Sequence, residues 1–282
     1  MKRSALLLLA AGCGTYSPLD SPFNRGVEFY DQGRLADAIR EYRRALEDDP
    51  DHYRARFNLA VCYHDLGKLD EAAALYEDVL RRRPDNARAL VSLASVRAEQ
   101  GRDEEALALL RRAAEADPDS GFPRSCLGAF YERKGDPELA LAAYRASVEV
   151  EPSHAAGHAG IGRILLSRGE IAGACAAFEA ALAADPDDVA VLLGAAEARE
   201  RADDPRGAAR LLERALVHAP DRGDLWLRLA GLYEAQERLE DAVAALWEAR
   251  ARQPELAPEA GARLRRLYLR LAEREAAPTP PK

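Results

Sequence analysis

Two histidines placed four residues apart are the first candidates for chemistry in this sequence. His154 and His158 stand in the segment SHAAGH, and such a pair on a helix can turn two imidazoles to one side and bind zinc. The segment lacks the glutamate of the H-E-x-x-H metalloprotease motif, and no third ligand accompanies it. We therefore expect no metal site here and no cofactor, with His158 packed between neighbouring helices.

The remaining groups that could act as nucleophiles carry no recognisable catalytic motif. The sequence has no phosphate-binding glycine loop and no G-x-S-x-G segment. Cys62, Cys126 and Cys175 are isolated from one another and form no C-x-x-C, so they are interpreted as small hydrophobic core residues. We expect no enzymatic activity and no small-molecule substrate.

Composition narrows the class of protein further. The chain has 282 residues, of which 48% are hydrophobic and 31% charged, as in a packed soluble protein. Its formal net charge is −8, whereas non-specific nucleic-acid binding needs clustered lysine and arginine. The composition therefore predicts no nucleic-acid partner.

Three columns of residues recur every 34 positions, in step with one another, and so identify a repeat protein. The first column is proline, the second is alanine and the third is always glycine or alanine. The members are Pro50, Pro84, Pro118, Pro152, Pro186, Pro220 and Pro254; Ala38, Ala72, Ala106, Ala140, Ala174, Ala208 and Ala242; and Gly26, Ala60, Ala94, Gly128, Gly162, Ala196 and Ala230.

Each column has a physical reason, which repeat two illustrates. Its apolar residues predict two helices, separated by Gly67 in a left-handed cap and closed by Pro84. The small column is expected where two helices approach closely. The Asp or Ser that follows nearly every such proline is expected to cap the next helix. Because one helix pair cannot bury its apolar face alone, the pairs are expected to stack into a solenoid.

This 34-residue pattern resembles the tetratricopeptide repeat family. Repeat seven carries the pattern in full, with Trp226, Leu229, Ala230 and Tyr233. Repeats three and six depart from it, because Arg97 and Arg199 replace an aromatic residue of the first helix. There we expect each arginine stem to cover apolar surface with its charged head in water. Leu110 and Leu212 replace an aromatic in the second helix. The repeats span residues 19–52, 53–86, 87–120, 121–154, 155–188, 189–222 and 223–256.

The resemblance implies an all-α fold, a right-handed superhelical solenoid of seven tetratricopeptide helix-turn-helix repeats plus a C-terminal capping helix. The repeats occupy residues 19–256. The capping helix is expected over 257–276, with Leu264, Leu267 and Leu271 on one face, and the APTPPK segment at 277–282 is expected to be disordered.

The first residues, MKRSALLLLAAGCG, have the order of an export signal. Lys2 and Arg3 precede seven apolar residues, too few to span a bilayer, and small residues follow. Residues 10–13 resemble a bacterial lipobox, which would make 1–12 a lipoprotein signal peptide, Cys13 the lipidated residue and 13–18 a short tether. Because Gly14 rather than Asp follows the cysteine, resemblance to proteobacterial lipoproteins favours the periplasmic face of the outer membrane. If the N-terminus is not processed, the protein is cytoplasmic.

These features predict a non-catalytic scaffold or adaptor of the bacterial envelope, which binds protein partners and reaches the membrane through its lipid. The sharpest resemblance is to pilotin-like tetratricopeptide lipoproteins that help type IV pilus secretins assemble. Alternatives are a structural subunit of an envelope machine, such as a peptidoglycan-hydrolase adaptor, or a cytoplasmic co-chaperone. The co-chaperone would need a lysine and asparagine clamp, where this chain has Phe23, Val27, Phe57 and Val61.

A second apolar stripe on the first helix of each repeat is the candidate partner-binding groove. In repeat two it falls at i, i+4 and i+7, away from the face packed into the solenoid. By resemblance to the family, this stripe lines the inner, concave surface. The alternative is that Phe23 and Phe57 are partly buried against adjacent repeats and have only a structural role. It is apolar in repeats one to three, whereas Glu197, Glu200 and Glu234 are expected to make it acidic in repeats six and seven. We call its members the first-helix stripe: Phe23, Val27, Tyr30, Phe57, Val61, His64 and Val91.

Overall fold

The computed structural model describes residues 21–276, and the fold over that range is all-α, as the sequence predicts. Fifteen α-helices, one short 3-10 helix and no β-strand occur within the described range. The expected signal peptide (1–12), Cys13, the tether (13–18) and the APTPPK segment lie outside the described residues.

Contacts divide the chain into two units, the first ending at Phe130 and the second beginning at Tyr131, within the seventh helix. In the first unit, consecutive helices pack as pairs and each pair packs on the next. The helices of this unit are α1 (Pro22–Asp31), α2 (Leu35–Asp48), α3 (Tyr53–Asp65), α4 (Leu69–Arg82), α5 (Ala87–Glu99), α6 (Asp103–Ala116) and the greater part of α7 (Phe122–Lys134).

The second unit continues the same alternation of helix pairs. Each helix from α8 onward packs on the one that follows it. A short 3-10 helix, Pro254–Leu256, precedes the last helix. The helices are the end of α7, α8 (Pro137–Val150), α9 (Ala155–Ser167), α10 (Ile171–Ala184), α11 (Val189–Arg201), α12 (Pro205–His218), α13 (Gly223–Ala235), α14 (Leu239–Arg252) and α15 (Ala257–Ala276).

The turn inside each repeat needs a residue with positive φ. Gly67 follows α3 with φ +71°, and the amides of Gly67 and Lys68 donate to carbonyls of the last helical turn. Repeats six and seven have Asp203 (φ 58°) and Glu237 (φ 57°) at the same position. A residue other than glycine is strained in this backbone conformation, so Asp203 and Glu237 reduce the stability of their turns.

The helix caps differ by one residue from the expectation. The side chains of His52, Asn86 and Asp188, two residues after the proline rather than one, accept hydrogen bonds from the first turn of the following helix. Three aspartates directly after the proline, Asp51, Asp187 and Asp221, pair instead with a basic residue 31 positions later, as Asp221 does with Arg252 at 3.0 Å. The loop carboxylates therefore connect neighbouring repeats.

The two small-residue columns are buried, and the glycine positions show why they must be small. Every alanine of the second column is fully buried. A Cβ on Gly26 would lie 2.6 Å from the Tyr42 ring, and one on Gly162 would lie 2.9 Å from the Phe178 ring. At these positions the close neighbour is therefore an aromatic side chain of the second helix, rather than its backbone.

The arginines of repeats three and six are both ion-paired, and the head of Arg97 is buried, contrary to the expectation that it lies in water. Arg97 is only 9% exposed, and its guanidinium bonds Glu77 and Gln100. Arg199 remains partly exposed and also binds a glutamate, Glu179, and both glutamates lie twenty residues earlier in the chain than their arginines. The carboxylate on the preceding helix makes a cation acceptable where an aromatic residue is usual.

Helix α15 packs against α14 and completes the core of the second unit. Leu264 and Leu267 are buried in that core, and Leu271 is partly buried against it. Arg263 donates to Glu234 Oε1 at 2.7 Å and to the Leu227 carbonyl at 3.1 Å, so the helix is also held to α13.

Candidate functional site

The first-helix stripe lies on adjacent helices of the first unit, but one of its members, Phe57, is buried in the core. Phe57 is 1% exposed, and its ring meets the Tyr76 ring edge-on with centroids 5.4 Å apart. It is a core residue, so it cannot contact a partner. The expectation that Phe57 lines a binding groove is corrected by its burial.

The other apolar members of the stripe are half-buried, so part of each side chain is exposed to solvent. Val27, Val61 and Val91 pack against the core of the first unit from α1, α3 and α5. The Phe23 ring is also half-buried and stacks on the His52 ring, with centroids 4.8 Å apart. These side chains form an apolar strip across three consecutive repeats.

The polar members of the stripe tie one first helix to the next. Tyr30 Oη donates to Asp65 Oδ2 at 2.7 Å, and His64 Nε2 lies 2.8 Å from Glu99 Oε1. Both pairs span 35 residues and are equivalent under the repeat, so one geometry recurs at both junctions. Asp65 and Glu99 were not predicted as part of the stripe, although each lies one repeat plus one residue after its hydrogen-bond partner in the sequence.

On the second unit, the equivalent positions carry charges that are compensated. Glu197 accepts from Arg201 at 2.7 Å, and Glu200 accepts from Arg228 Nε at 2.8 Å. Arg263 binds Glu234 in turn. The expectation of an acidic surface at repeats six and seven is therefore wrong, because each of these carboxylates faces an arginine.

A hydrogen-bonded cluster at repeats four and five follows the same principle. Arg163 donates to both oxygens of Glu132, at 3.0 and 2.8 Å, and Tyr144 Oη donates to the same carboxylate at 2.7 Å. Hydrogen bonding to Arg163 holds the pKa of Glu132 below its ordinary value, against the opposing effect of burial. This carboxylate is an ionised structural group, with its oxygens already occupied.

The two histidines considered for zinc are engaged in structural contacts. His158 Nε2 lies 2.8 Å from the carbonyl of Pro152, and Trp226 Nε1 donates to the carbonyl of Pro220 at 3.0 Å from the equivalent position. His154 lies against Glu151, and burial lowers its pKa. Within the described residues, no group of three or more histidine, cysteine or acidic side chains has the arrangement of a metal site.

The isolated cysteines are free thiols. Cys62 is fully buried, and burial raises the pKa values of the Cys62 and Cys126 thiols to about 12. Cys175 is half-buried on α10.

Among helices in residues 21–276, none has the length and apolar character needed to cross a bilayer.

Comparisons with known proteins agree with this architecture. One tetratricopeptide repeat profile matches residues 23–78, 65–121 and 131–189, and a second matches 200–266. No curated protein sequence matches the chain significantly.

Solved structures give the same fold at low sequence identity. The Cut9–Hcn1 hetero-tetramer of the APC/C matches 89% of this chain with a TM-score of 0.64 and 16% identity, and this chain spans 49% of the one it matches. PilW, described as a widely conserved type IV pilus biogenesis factor, matches 72% of this chain, with 94% of its own length covered, a TM-score of 0.59 and 20% identity. PilF of Pseudomonas aeruginosa matches 71%, with 91% of its own length covered, a TM-score of 0.57 and 22% identity.

Proposed function

This chain belongs to the tetratricopeptide repeat family, and on that premise we propose that it is a non-catalytic scaffold that holds an apolar segment of a protein partner. Tetratricopeptide domains generally bind proteins. The observation that carries the proposal is the apolar strip of Val27, Val61 and Val91 across three adjacent first helices. A partner side chain buried there gains about 1.5–3 kcal/mol before ordering costs.

The partner segment is extended or helical, because the strip crosses three helices. Val27 and Val61 occupy equivalent repeat positions, and Val91 lies one helical turn earlier in its repeat, at the position of Phe23. The hydrogen bonds of Tyr30 and His64 hold these helices together before a partner arrives. Such preorganisation lowers the cost of binding.

We expect partner capture to fall about tenfold when Val27→Ser and Val61→Ser are combined. The change removes two half-buried methyl surfaces and leaves the fully buried core residues in place. The measurement is photo-crosslinking from Val91→p-benzoylphenylalanine in cells, with and without the combined Val27→Ser and Val61→Ser change, after circular dichroism has verified the fold. The matched control places the crosslinker at Val217, which is 75% exposed in the second unit.

The identity of the crosslinked partner distinguishes between the pilus, cell-wall and chaperone assignments. A secretin subunit supports the pilus assignment, which the likeness to PilW and PilF favours. A peptidoglycan hydrolase supports the cell-wall assignment, and a cytoplasmic chaperone contradicts an envelope role. Adducts that form at Val217 but not at position 91 overturn the assignment of the strip.

The proposal includes a lipid anchor at Cys13, supported by the order of basic, apolar and small residues before it. It places the protein at the periplasmic face of the outer membrane. Cys13→Ser is expected to leave the protein unprocessed or in a soluble fraction. Mass spectrometry of the wild-type N-terminal peptide should show acyl mass on Cys13. A soluble cytoplasmic wild-type protein that retains Met1 contradicts the anchor and the envelope location.

A further inference from the structure

A cleft of about 470 Å³ opens on the second unit among α10, α11 and α12. This volume lies within the range of ligand sites. Leu182, Leu211 and Cys175 provide half-buried apolar surface, and Ala195 contributes a buried methyl group. The cleft involves none of the residues assigned to the apolar strip.

Three arginines and one glutamate supply the charge of this cleft. Arg199 is compensated, because it binds Glu179 and also lies 3.3 Å from Asp204. Arg214 donates to the carbonyl of Pro186 at 2.6 Å, a neutral acceptor that leaves its charge uncompensated. Arg210 is exposed, and no carboxylate pairs with it among the described residues. Two cationic groups are therefore available beside apolar surface.

The cleft can be compared with the equivalent junction of repeats two and three, which lies 102 residues earlier in the same chain. There, Glu105 approaches Arg97 at 3.4 Å and supplies a negative charge, whereas glycine occupies the same position in the cleft. Two further side chains are larger at the earlier junction, and alanine stands there in place of Arg210. The differing pairs, earlier junction first, are Ala73 and Cys175, Arg81 and Ala183, Leu93 and Ala195, Glu105 and Gly207, and Ala108 and Arg210.

The following junction, between repeats six and seven, has the opposite charge. The positions of Gly207 and Arg214 are taken there by Asp241 and Glu248, and the position of Arg210 by an alanine. The combination of removed side chains and added arginine thus distinguishes the junction of repeats five and six from these two junctions of the same chain.

We propose that this cleft is a second binding site of the scaffold, which takes an acidic protein segment carrying aliphatic side chains. The carboxylates of the segment pair with Arg210 and Arg214, whose guanidinium groups match carboxylate geometry. The aliphatic side chains lie against Leu182 and Leu211. Charge complementarity identifies the occupant, because the apolar surface is flanked by two uncompensated cations.

The probe is a synthetic peptide of alternating glutamate and leucine with both ends blocked, compared with the same peptide carrying glutamine in place of glutamate. Fluorescence anisotropy of the labelled peptides measures affinity for the full chain. Maleimide modification of Cys175, followed by peptide mass spectrometry, measures occupancy of the cleft. Cys62 and Cys126 react slowly because burial raises their pKa values to about 12.

We expect the acidic peptide to bind and to slow modification of Cys175, and the glutamine peptide to do neither. Arg210→Glu should weaken the affinity about tenfold, the effect of losing one charge-assisted contact. Arg145→Glu, which changes an exposed arginine on α8 outside the cleft, should have no effect. Ala195→Leu, which restores the side chain found at Leu93, should fill the cleft and abolish protection of Cys175, with folding verified by tryptophan fluorescence.

Absence of peptide binding by anisotropy overturns the proposal. Equal binding of the acidic and glutamine peptides overturns the role of the arginines, as does an unchanged affinity of Arg210→Glu. If decanoate protects Cys175 while the acidic peptide does not, the occupant is an anionic lipid and the protein-segment assignment is wrong. These outcomes do not depend on the apolar strip, because the variants lie in a different unit.

Discussion

Phe57→Ala is expected to lower the free energy of unfolding by about 3–5 kcal/mol, the usual cost of deleting a buried phenylalanine ring. The ring is 1% exposed and packs edge-on against Tyr76, so its removal leaves a cavity between α3 and α4. Urea unfolding followed by circular dichroism gives the change in stability. Hydrogen exchange of peptides from α3 and α4 shows whether protection is lost at that site.

The matched control is Val61→Ala, one helical turn further along α3. Val61 is half-buried, so we expect about 1 kcal/mol or less from this change. If Phe57→Ala costs no more than Val61→Ala, then Phe57 is not a core residue and belongs to the partner-binding strip after all. The comparison therefore separates the structural part of the stripe from the part available to a partner.

Phe178→Ala is expected to have a similar effect on the second unit, about 3–5 kcal/mol. Phe178 is 1% exposed and lies between two glycines of neighbouring first helices. A Cβ on Gly162 or Gly194 would lie 2.9 or 2.7 Å from the ring. The tight fit on both sides means that alanine leaves a cavity bounded by α9 and α11. Both tryptophans of the sequence, Trp226 and Trp247, lie in the second unit, so fluorescence in a urea titration follows this change.

Two controls test the explanation of the Phe178 effect. Phe178→Leu should cost less than alanine, because Leu110 and Leu212 fill the same repeat position and are buried. Val217→Ala, at a 75% exposed position, should change stability by no more than about 0.5 kcal/mol. A loss at Val217 equal to that at Phe178 would show that the repeat phase is misassigned.

The fold could be predicted from the sequence because each repeat encodes its own local structure. Each recurring residue has a local cause. The alanines from Ala38 to Ala242 allow close packing, the glycine after the first helix allows positive φ, and the proline after the second helix lacks an amide proton. Seven copies in register make such a pattern visible without coordinates. The Gly67 turn follows in detail from these causes.

The candidate site could be predicted only in part. Helical periodicity placed Val27, Val61 and Val91 on one side of their helices, and these residues are half-buried there. It could not tell that Phe57 turns into the core, since burial depends on whether Tyr76 of the second helix leaves room for the ring. Nor could it tell that Glu200 is neutralised, because Arg228 lies 28 residues away on the next repeat.

What the sequence by itself determined was the period, the helix pairs and the small residues between them, since these depend on contacts within one repeat. What only the tertiary structure decided was how neighbouring repeats meet: which carboxylates pair, which aromatic rings are covered and which junction is left open. Arg97 and Arg199 occupy the same repeat position. Glu105 approaches Arg97, whereas Gly207 occupies the equivalent position beside Arg199. The difference arises because the space at a junction is set jointly by three helices, whereas a sequence pattern records one helix at a time.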